Sequence, residues 1–311
     1  MRFTGVTFLA LAIFTLGACG EAQEQADNQN EDNNQEEQEA EAEEESVELE
    51  FPAASPRSEL KQNVGITEVR VDYSRPSVRD REIWGELVPY DEIWRTGANA
   101  ATTFYFEHDV YINGNHLEAG EYSFLSIPRD DEEWTLIFNE STEVWGTRGY
   151  EEDNDALRID VDPVSIDRHH EMMTFNIHDV DENSGLVSLA WKETEVAFEL
   201  ETETHERVAE RIEKAIEHAA DDDWETFSQA AGYYIDREEN LDQAEEWLNT
   251  AMEIEENWRN HYNMAELFEA KGNIERAIEH NERALEIGRE EEEFGAEGFL
   301  EDNLERLQEH I

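Results

Sequence analysis

The spacing of the apolar residues changes once along this chain, near residue 203, and no other feature constrains the fold as strongly. Between residues 51 and 202, β-branched and aromatic residues form short runs separated by turn residues. Several runs alternate apolar and polar positions, which is the period of a half-buried strand. After Thr204 the apolar residues recur three and four residues apart, as on one face of a helix. The sequence therefore predicts a multidomain all-β plus all-α chain, with a β domain over 51–202 and a helical domain over 203–311.

Nine short strands are predicted in the β domain. In the run 66–73, Val69, Val71 and Tyr73 fall on one face. Asn113 and Gly114 form the pair that a two-residue type I′ hairpin requires, because both positions need positive φ. Short strands with few helical segments between them predict an antiparallel β-sandwich or barrel-like domain. The predicted strands are 64–73, 102–107, 110–112, 121–127, 134–138, 157–161, 172–177, 186–191 and 195–200.

Two segments of the helical domain repeat each other at an interval of 33 residues. Small residues at the repeated offsets let paired helices approach closely, which is the pattern of tetratricopeptide repeats. We expect a short tetratricopeptide-like array that binds a protein partner on its concave face or braces the β domain. The four positions of the first segment and their equivalents in the second are Gly232, Ile235, Ala244 and Ala251, then Ala265, Phe268, Ala277 and Ala284.

The ends of these helices carry recognisable signals. Asn240 and Asn273 stand where N-caps are needed, and the acidic run 221–223 suits the positive end of a helix dipole. Gly272 marks the turn inside the second repeat. A first helix is predicted over 204–219, and a closing helix within residues 294–311.

Acidic residues are spread along the whole chain. The sequence has 80 Asp and Glu against 23 Lys and Arg, which gives a formal net charge of −57. Molar salt screens charge repulsion to a length of about 3 Å, so this composition predicts a halophilic protein. The other interpretation is an acidic surface that binds a basic partner. The same negative field argues against nucleic acid as a partner.

Residues 1–18 have the pattern of a signal peptide. Arg2 supplies a positive start, and 6–16 is an apolar run of h-region length, too short to span a bilayer. Leu-Gly-Ala-Cys at 16–19 resembles the lipobox of bacterial lipoproteins, which implies cleavage before Cys19 and its acylation. The alternative is an unprocessed N-terminus with Cys19 as a buried thiol. We expect a lipoprotein of the cell envelope, lipid-anchored to the outer membrane and periplasmic or surface-exposed.

Residues 19–50 are predicted to be a disordered acidic tether that follows the lipidated cysteine. The part from 21 to 50 has fourteen acidic residues, no basic residue and no aromatic residue. Such a segment cannot bury enough apolar surface to offset its chain entropy. Repulsion between its charges would extend it.

Five segments of the β domain follow one another in an order that resembles a known family. They are 73–76, 87–90, 94–102, 119–123 and 134–139. Over about residues 55–200 they resemble the domain-of-unknown-function family numbered 2911, common in Bacteroidetes-type bacteria. The resemblance implies a fold and no agreed activity. The family pattern often has Gly where Asp91 stands and Glu where Ala100 stands, so chemistry that depends on that Glu would be absent here.

The loop 84–102 is the strongest candidate for a binding site. Loops so dense in large side chains are more often binding loops than spacers. The segment 57–95 around it has seven basic and eight acidic residues, and is almost neutral in a very acidic chain. Arg recognises carboxylate or phosphate and stacks on aromatic rings. We expect a glycan or an anionic small ligand, with the candidate ligand-binding residues Tyr73, Arg75, Trp84, Tyr90, Trp94, Arg95, Asn99 and Thr102.

A second aromatic loop, 145–150, adds Trp145 and Arg148 to these candidates. If it lies beside the first loop, the two would form one cleft. The alternative for the whole site is structural: the arginines of the first loop region pair with nearby acids and fix the loop to the β domain. The acids in question are Asp80, Glu82, Asp91 and Glu92.

The sequence has no motif that identifies an enzyme. P-loop, dinucleotide and Gly-x-Ser-x-Gly fingerprints are absent, and no His or Cys spacing matches a zinc site. We therefore predict no cofactor, no metal and no catalytic residues, and favour a non-enzymatic binding or interaction module. The alternative is an envelope hydrolase or carbohydrate-active enzyme that uses Arg95 and nearby carboxylates.

Overall fold

The computed structural model describes residues 51–291 and 294–310. Within them, ten strands in two sheets are followed by six helices. The predicted fold class, a β domain followed by a helical array, is therefore confirmed. The predicted signal peptide (1–18), the acylated Cys19 and the tether (19–50) lie outside the described residues. Among the described residues, no helix has both the length and the apolar character needed to cross a bilayer.

All ten strands pair in antiparallel fashion. In chain order they are β1 (Arg57–Val64), β2 (Thr67–Ser74), β3 (Thr102–Phe106), β4 (Val110–Ile112), β5 (Asn115–Leu117), β6 (Gly120–Ile127), β7 (Trp134–Asn139), β8 (Asp155–Val161), β9 (Val164–His178) and β10 (Ser184–Thr202). One sheet has the order β1-β2-β3-β6-β7-β8, and the other has the order β5-β4-β10-β9.

Side-chain alternation explains how the two sheets share one core. In β2, Val69, Val71 and Tyr73 are buried while the residues between them are partly exposed, as the alternating run predicts. The core between the sheets is rich in phenylalanine. Phe104, Phe106, Phe124 and Phe138 come from the six-stranded sheet, and Phe175 and Phe198 come from the four-stranded sheet.

The predicted hairpin at Asn113 and Gly114 is confirmed. Their φ angles are 47° and 75°, and Ile112 of β4 pairs with Asn115 of β5 across the turn. Both residues therefore adopt the positive φ that a type I′ turn needs. The short strand β5 itself lies outside the predicted set, because three residues carry too little pattern to be recognised.

The predicted strands differ from the observed ones in several further places. The predicted strand 64–73 runs through the turn at Gly65, and β9 begins at Val164, eight residues before the predicted start. β1 was not predicted, because its sequence is polar and most of its residues are at least partly exposed. The runs 186–191 and 195–200 belong to one long strand, β10, whose pairing with β9 shifts register around Lys192. Lys192 has φ of 59° there, so a bulge interrupts the alternation without ending the strand.

The helical array has the predicted order of elements. Its helices are α1 (Thr204–His218), α2 (Trp224–Ile235), α3 (Leu241–Ile254), α4 (Trp258–Ala270), α5 (Ile274–Gly288) and α6 (Glu297–Gln308). α3 and α5 begin at equivalent positions of the two predicted repeats. The repeated alanines Ala244, Ala251, Ala265, Ala277 and Ala284 are all fully buried, so they allow the close helix contacts expected of them.

The predicted N-cap positions are confirmed for three helices, and two of the three residues also cap with their side chains. The side chain of Asn273 accepts a hydrogen bond from the backbone N–H of Arg276, and that of Asp223 accepts one from Thr226. Asn240 precedes α3 but its side chain makes no capping bond. Its backbone is left-handed, with φ of 45°, and asparagine is one of the few residues that tolerates that conformation.

Direct contacts join the β domain to the helices. Gly65, in the turn between β1 and β2, lies against Thr204 at the start of α1. Arg207 of α1 donates from Nη2 to the Asp109 carbonyl oxygen at 3.2 Å. Arg237, which follows α2, forms an ion pair with Glu182 in the turn before β10. Residues 52–311 consequently belong to one compact unit.

Candidate functional site

The loop 84–102 is held on the β domain by backbone pairing at its centre. Trp94 and Ser126 of β6 exchange backbone hydrogen bonds of 2.8 and 2.9 Å. The Thr96 and Ser126 hydroxyls lie 2.9 Å apart, and the Thr102 hydroxyl donates to the Thr96 carbonyl oxygen at 2.6 Å. These four residues are buried, whereas other residues of the loop are exposed at its outer surface. The loop is therefore a fixed part of the domain and presents its side chains in defined positions.

The backbone of this loop contains unusual conformations. Thr96, Gly97 and Asn99 all have positive φ, of 51°, 154° and 63°. A side chain at Gly97 would lie 3.2 Å from both the Ser74 carbonyl oxygen and the Thr102 hydroxyl. Residues held in such sparsely populated regions concentrate at functional sites. The strain marks the segment around Arg95 as a candidate site, in agreement with its choice from the sequence.

Four indole rings pack against one another behind the loop: Trp84, Trp94, Trp134 and Trp191. Trp94 and Trp191 stack with ring centroids 5.8 Å apart and planes 17° apart. Trp84 meets the other three edge-on, at centroid distances of 4.6 to 5.8 Å. Of the four, sequence reasoning selected Trp84 and Trp94. The other two come from β7 and β10, and only strand pairing brings them here.

A cavity of about 290 Å³, which we call the arginine cavity, lies on one side of these indoles. Its charged lining residues are Arg79, Arg81 and Arg95, and Trp94 and Trp191 form its aromatic walls. Among the described residues, no Asp or Glu lines it. A cavity with three cations and no carboxylate is unexpected in a chain with a net charge of −57.

Two of the three guanidinium groups are anchored by backbone oxygens. Arg81 donates from Nε to the Val78 carbonyl at 3.0 Å and from Nη2 to the Ser77 carbonyl. Arg79 donates from Nη2 to the Ala54 carbonyl at 3.0 Å. These bonds fix the cations in place without neutralising their charge.

Arg95 is the least compensated of the three. Its Nε is buried and has no hydrogen-bond partner, and the same is true of Nε1 of Trp191, which is 1% exposed. Burial lowers the pKa of the Arg95 guanidinium from its ordinary value, and no charged neighbour among the described residues acts against that shift. Two buried donors at one cavity therefore lack acceptors.

Trp84 and Tyr90 line a different cavity, of about 370 Å³, which we call the acidic cavity. Asp130, Asp131, Glu132 and Asp162 line it as well. The pKa of the Tyr90 phenol is raised by burial and by the nearby Asp130 carboxylate. The structure thus divides the predicted aromatic and cationic residues between two cavities of opposite charge.

Other predicted site residues lie in the framework of the domain. Tyr73 is buried in the core, where its hydroxyl accepts a hydrogen bond from the Phe175 N–H at 3.3 Å. Arg75 donates to the Met173 carbonyl at 2.9 Å and to the Thr174 hydroxyl at 2.7 Å. The Asn99 amide donates to the Ser74 hydroxyl at 3.2 Å.

The structural alternative for the arginines predicted the wrong partners. Arg75 binds a backbone carbonyl and a hydroxyl of β9 instead of a carboxylate. Glu82 pairs with Lys192, and Asp91 lies 3.9 Å from Arg129. The observed partners come from segments distant in sequence, namely β9, β10 and the turn after β6, so acids close in sequence are not the partners of these arginines.

The second predicted loop lies beside the end of the first. The Ala101 N–H donates to the Val144 carbonyl at 3.0 Å, and Ala100 pairs with Trp145 in an isolated bridge. Trp145 is 63% exposed. Neither Trp145 nor Arg148 is among the residues that line the arginine cavity. The loops meet through their backbones, and the arginine cavity is formed without the second one.

Sequence reasoning missed Arg79, Arg81 and Trp191 as candidate site residues. The two arginines did carry a signal, because they belong to the nearly neutral segment 57–95. The sequence gives no such signal for Trp191, because it lies within a run that predicts an ordinary buried strand. Its place in the cavity depends on the bulge at Lys192 and on the pairing of β10 with β9.

Hydrolytic chemistry at Arg95 would need carboxylates beside it, and the lining of the arginine cavity supplies none within the described part of the chain. No group of three or more His, Cys, Asp or Glu side chains in 51–291 and 294–310 is placed to hold a metal ion. The arrangement is suited to attract and orient an anion.

Residues 55–200 match the family described as "Protein of unknown function (DUF2911)". No curated protein and no solved structure matches the chain. Asp91 has φ of 62°, which explains why glycine suits this position in the family pattern. The β domain is accordingly similar to the DUF2911 family over residues 55–200, and that resemblance, first seen in the sequence, is supported.

Proposed function

We propose that this chain is a non-enzymatic ligand-binding module whose β domain holds a small anionic ligand in the arginine cavity. The observation that supports this most is the pair of buried donors without partners, Arg95 Nε and Trp191 Nε1, at a cavity with three arginines. A buried donor without an acceptor costs about 1–3 kcal/mol, and more when it is charged. Native proteins keep few such groups. An anion that binds the terminal nitrogens of Arg95 would compensate the charge of this guanidinium, whose Nε has no acceptor.

The size and walls of the cavity indicate which anions fit. A volume of about 290 Å³ is at the lower end of the range for small-molecule sites. Guanidinium groups bind carboxylate and phosphate oxygens with two parallel hydrogen bonds. The indoles of Trp94 and Trp191 offer apolar area to a ring, either aromatic or sugar. The ligand class is therefore a small acid, and an acidic sugar would satisfy the same groups.

The substitution Arg95→Met tests this function. It is expected to weaken binding of a small acid by about 10- to 100-fold, because hydrogen bonds to a charged group contribute about 1.5–3 kcal/mol. Binding is measured by tryptophan fluorescence and calorimetry with phthalate, phenyl phosphate and glucuronate. The melting temperature without ligand is expected to stay the same or rise, since the variant removes a buried charge that lacks a counterion.

Arg148→Met is the matched control. Arg148 is an exposed arginine of the second loop and lies outside the lining of the arginine cavity. Its substitution removes the same charge from the same domain and is expected to leave affinity unchanged. Equal loss of affinity in both variants would show that net charge decides binding. Absence of binding by the wild-type chain to all three acids would reject the proposed site.

The sequence supports a location in the cell envelope. The lipobox-like residues 16–19 and the acidic segment 21–50 support a lipid anchor on an extended tether in the cell envelope. The net charge of −57 supports function at high salt. A melting temperature that fails to rise between dilute and molar KCl would contradict the second point.

Substitution of the proposed acylation site checks the anchor. In a bacterial host, Cys19→Ser is expected to move the protein from the membrane fraction to the soluble fraction, because the serine hydroxyl cannot take the place of the acylated thiol. Cell fractionation with detection of the helical domain measures the change. A wild-type protein that is already soluble would exclude the anchor.

For the helical array, the observed contacts favour the role of a brace. α1 begins directly against the β1–β2 turn, and Arg237 pairs with Glu182 of the β domain. A protein partner at the array stays a prediction. The groove that would receive it is lined by Trp224, Trp258, Tyr262 and Phe299, and Phe299 is 56% exposed.

A further inference from the structure

We infer that the arginine cavity selects a small organic dianion, a molecule with an apolar body and two negative charges. This inference rests on the proposed function and specifies its ligand. The two charges belong either to two carboxylates or to one phosphate ester. Charge balance, anchoring of the cations and the apolar walls each support it.

The charge balance of the cavity is too positive for one carboxylate. Three guanidinium groups, those of Arg79, Arg81 and Arg95, line it. Outside the lining, the Glu171 carboxylate accepts a hydrogen bond from the Arg79 backbone N–H at 3.0 Å. That carboxylate also lies 3.3 Å from a ring nitrogen of His169. Arg95 is partly buried, whereas Arg79 and Arg81 are exposed at the rim of the cavity. A ligand with a single negative charge would compensate Arg95 and leave the attraction of the two rim arginines unused, whereas a second negative charge would use it.

Anchoring limits how the three cations can share one acid group. Arg81 is fixed by two backbone carbonyls and Arg79 by a third, in different chain segments. Arg95 comes from the loop 84–102 and keeps its Nε without a partner. These bonds already use part of the donors of Arg79 and Arg81, so each of them has fewer N–H groups left for a shared acid group. A second acid group, or the three oxygens of a phosphate, reaches more of them.

The remaining walls require an organic body. Pro76, Leu87 and Val88 line the cavity together with the two indoles Trp94 and Trp191. Inorganic phosphate or sulfate would leave these apolar surfaces facing water. Burial of apolar area contributes about 25 cal/mol per Å², so a ring between the walls adds affinity that a bare ion does not have.

The test compares acids that share one ring. At about pH 8, phthalate and phenyl phosphate carry two charges and benzoate carries one. Affinities are measured by tryptophan fluorescence and calorimetry for these three acids and inorganic phosphate. We expect phthalate or phenyl phosphate to bind at least about 10-fold more tightly than benzoate, and phenyl phosphate to bind more tightly than inorganic phosphate. Which of the two dianions binds better identifies the acid group.

A charge variant isolates the second charge. Arg79→Met is expected to weaken the binding of the preferred dianion by about 10-fold and to change benzoate affinity by less than about 3-fold. The ratio of dianion affinity to benzoate affinity is therefore expected to fall. Equal binding of benzoate and both dianions by the wild-type chain would overturn this inference and leave the proposed anion site standing. The same holds if inorganic phosphate binds as well as phenyl phosphate. Failure of all four probes and of glucuronate, or no effect of Arg95→Met, would reject the proposed function itself.

Discussion

Replacement of Gly65 by alanine is expected to lower the free energy of unfolding by about 3 to 4 kcal/mol. Gly65 has φ of 55°, a conformation that costs other residues about 1–2 kcal/mol. A Cβ atom there would also come well inside 3.0 Å of the Thr204 hydroxyl and the Glu182 carbonyl oxygen. The second of these is backbone and cannot rotate away. Strand β1, the turn before β10 and the start of α1 would all have to move.

The effect is measured by urea unfolding at constant salt, with Gly114→Ala as the matched control. Gly114 also has positive φ, of 75°, but a Cβ atom there would meet nothing within 4 Å. Its substitution is expected to cost only the conformational part, about 1 to 2 kcal/mol. An equal loss of unfolding free energy in both variants would show that crowding of the new Cβ atom against Thr204 and Glu182 does not affect stability.

A second substitution separates side-chain crowding from backbone strain. Adding Thr204→Ala to Gly65→Ala removes the hydroxyl that the new Cβ atom would meet. Partial recovery of stability is expected, because the Glu182 carbonyl contact and the positive φ remain. In an otherwise wild-type chain, Thr204→Ala should destabilise, since its hydroxyl lies 3.0 Å from that of Thr202. If Thr204→Ala stabilises the Gly65→Ala chain and destabilises the wild-type chain, residues 65 and 204 are in direct contact.

Elements of the fold that depend on local sequence patterns could be predicted, and elements that depend on contacts between distant residues could not. Local patterns were sufficient for β2, where Val69, Val71 and Tyr73 alternate inward, and for the turn at Asn113 and Gly114. The polar strand β1 had no such pattern. Its side chains carry little apolar area, and its place at the sheet edge comes from pairing with β2.

Some residues of the proposed site can be recognised in the sequence, and others cannot. The loop 84–102 and Arg95 were recognisable from composition alone. The alternation that buries Val69 and Val71 also turns Tyr73 into the core, away from any ligand that the loop could hold. Trp191 reaches the arginine cavity from about 100 residues away, through the register of β10. Neighbours in sequence were therefore poor guides to which side chains share the cavity.

Replacement of Phe104 by alanine is expected to cost about 3–5 kcal/mol, the range for a large aromatic residue in a packed core. Phe104 is fully buried. Its ring centroid lies 4.9 to 6.0 Å from those of five other Phe rings, and it touches both sheets. Phe175 and Phe198 of the four-stranded sheet would lose the ring that they pack against. No small shift of one strand can fill a space bounded by two sheets.

Tyr105→Ala is the control for Phe104→Ala, because adjacent residues of a strand face opposite sides. Tyr105 is partly exposed, and its ring lies 4.6 Å from the Arg70 guanidinium. Loss of that contact is expected to cost about 0.5–1 kcal/mol. A similar loss of unfolding free energy for Phe104→Ala and Tyr105→Ala would contradict a core that lies between the two sheets.

The same Phe104 variant shows whether the two domains unfold together. In a chain whose helical tryptophans Trp224, Trp247 and Trp258 are replaced by Phe, tryptophan fluorescence reports on the β domain, and far-UV circular dichroism reports mainly on α1–α6. Since Gly65, Thr204 and the Arg237–Glu182 pair tie the β domain to the helices, we expect both signals to shift to lower urea by the same amount. A shift of fluorescence alone would mean that the helices are stable without the β domain. The contacts at Gly65 would then position the array without sharing its stability.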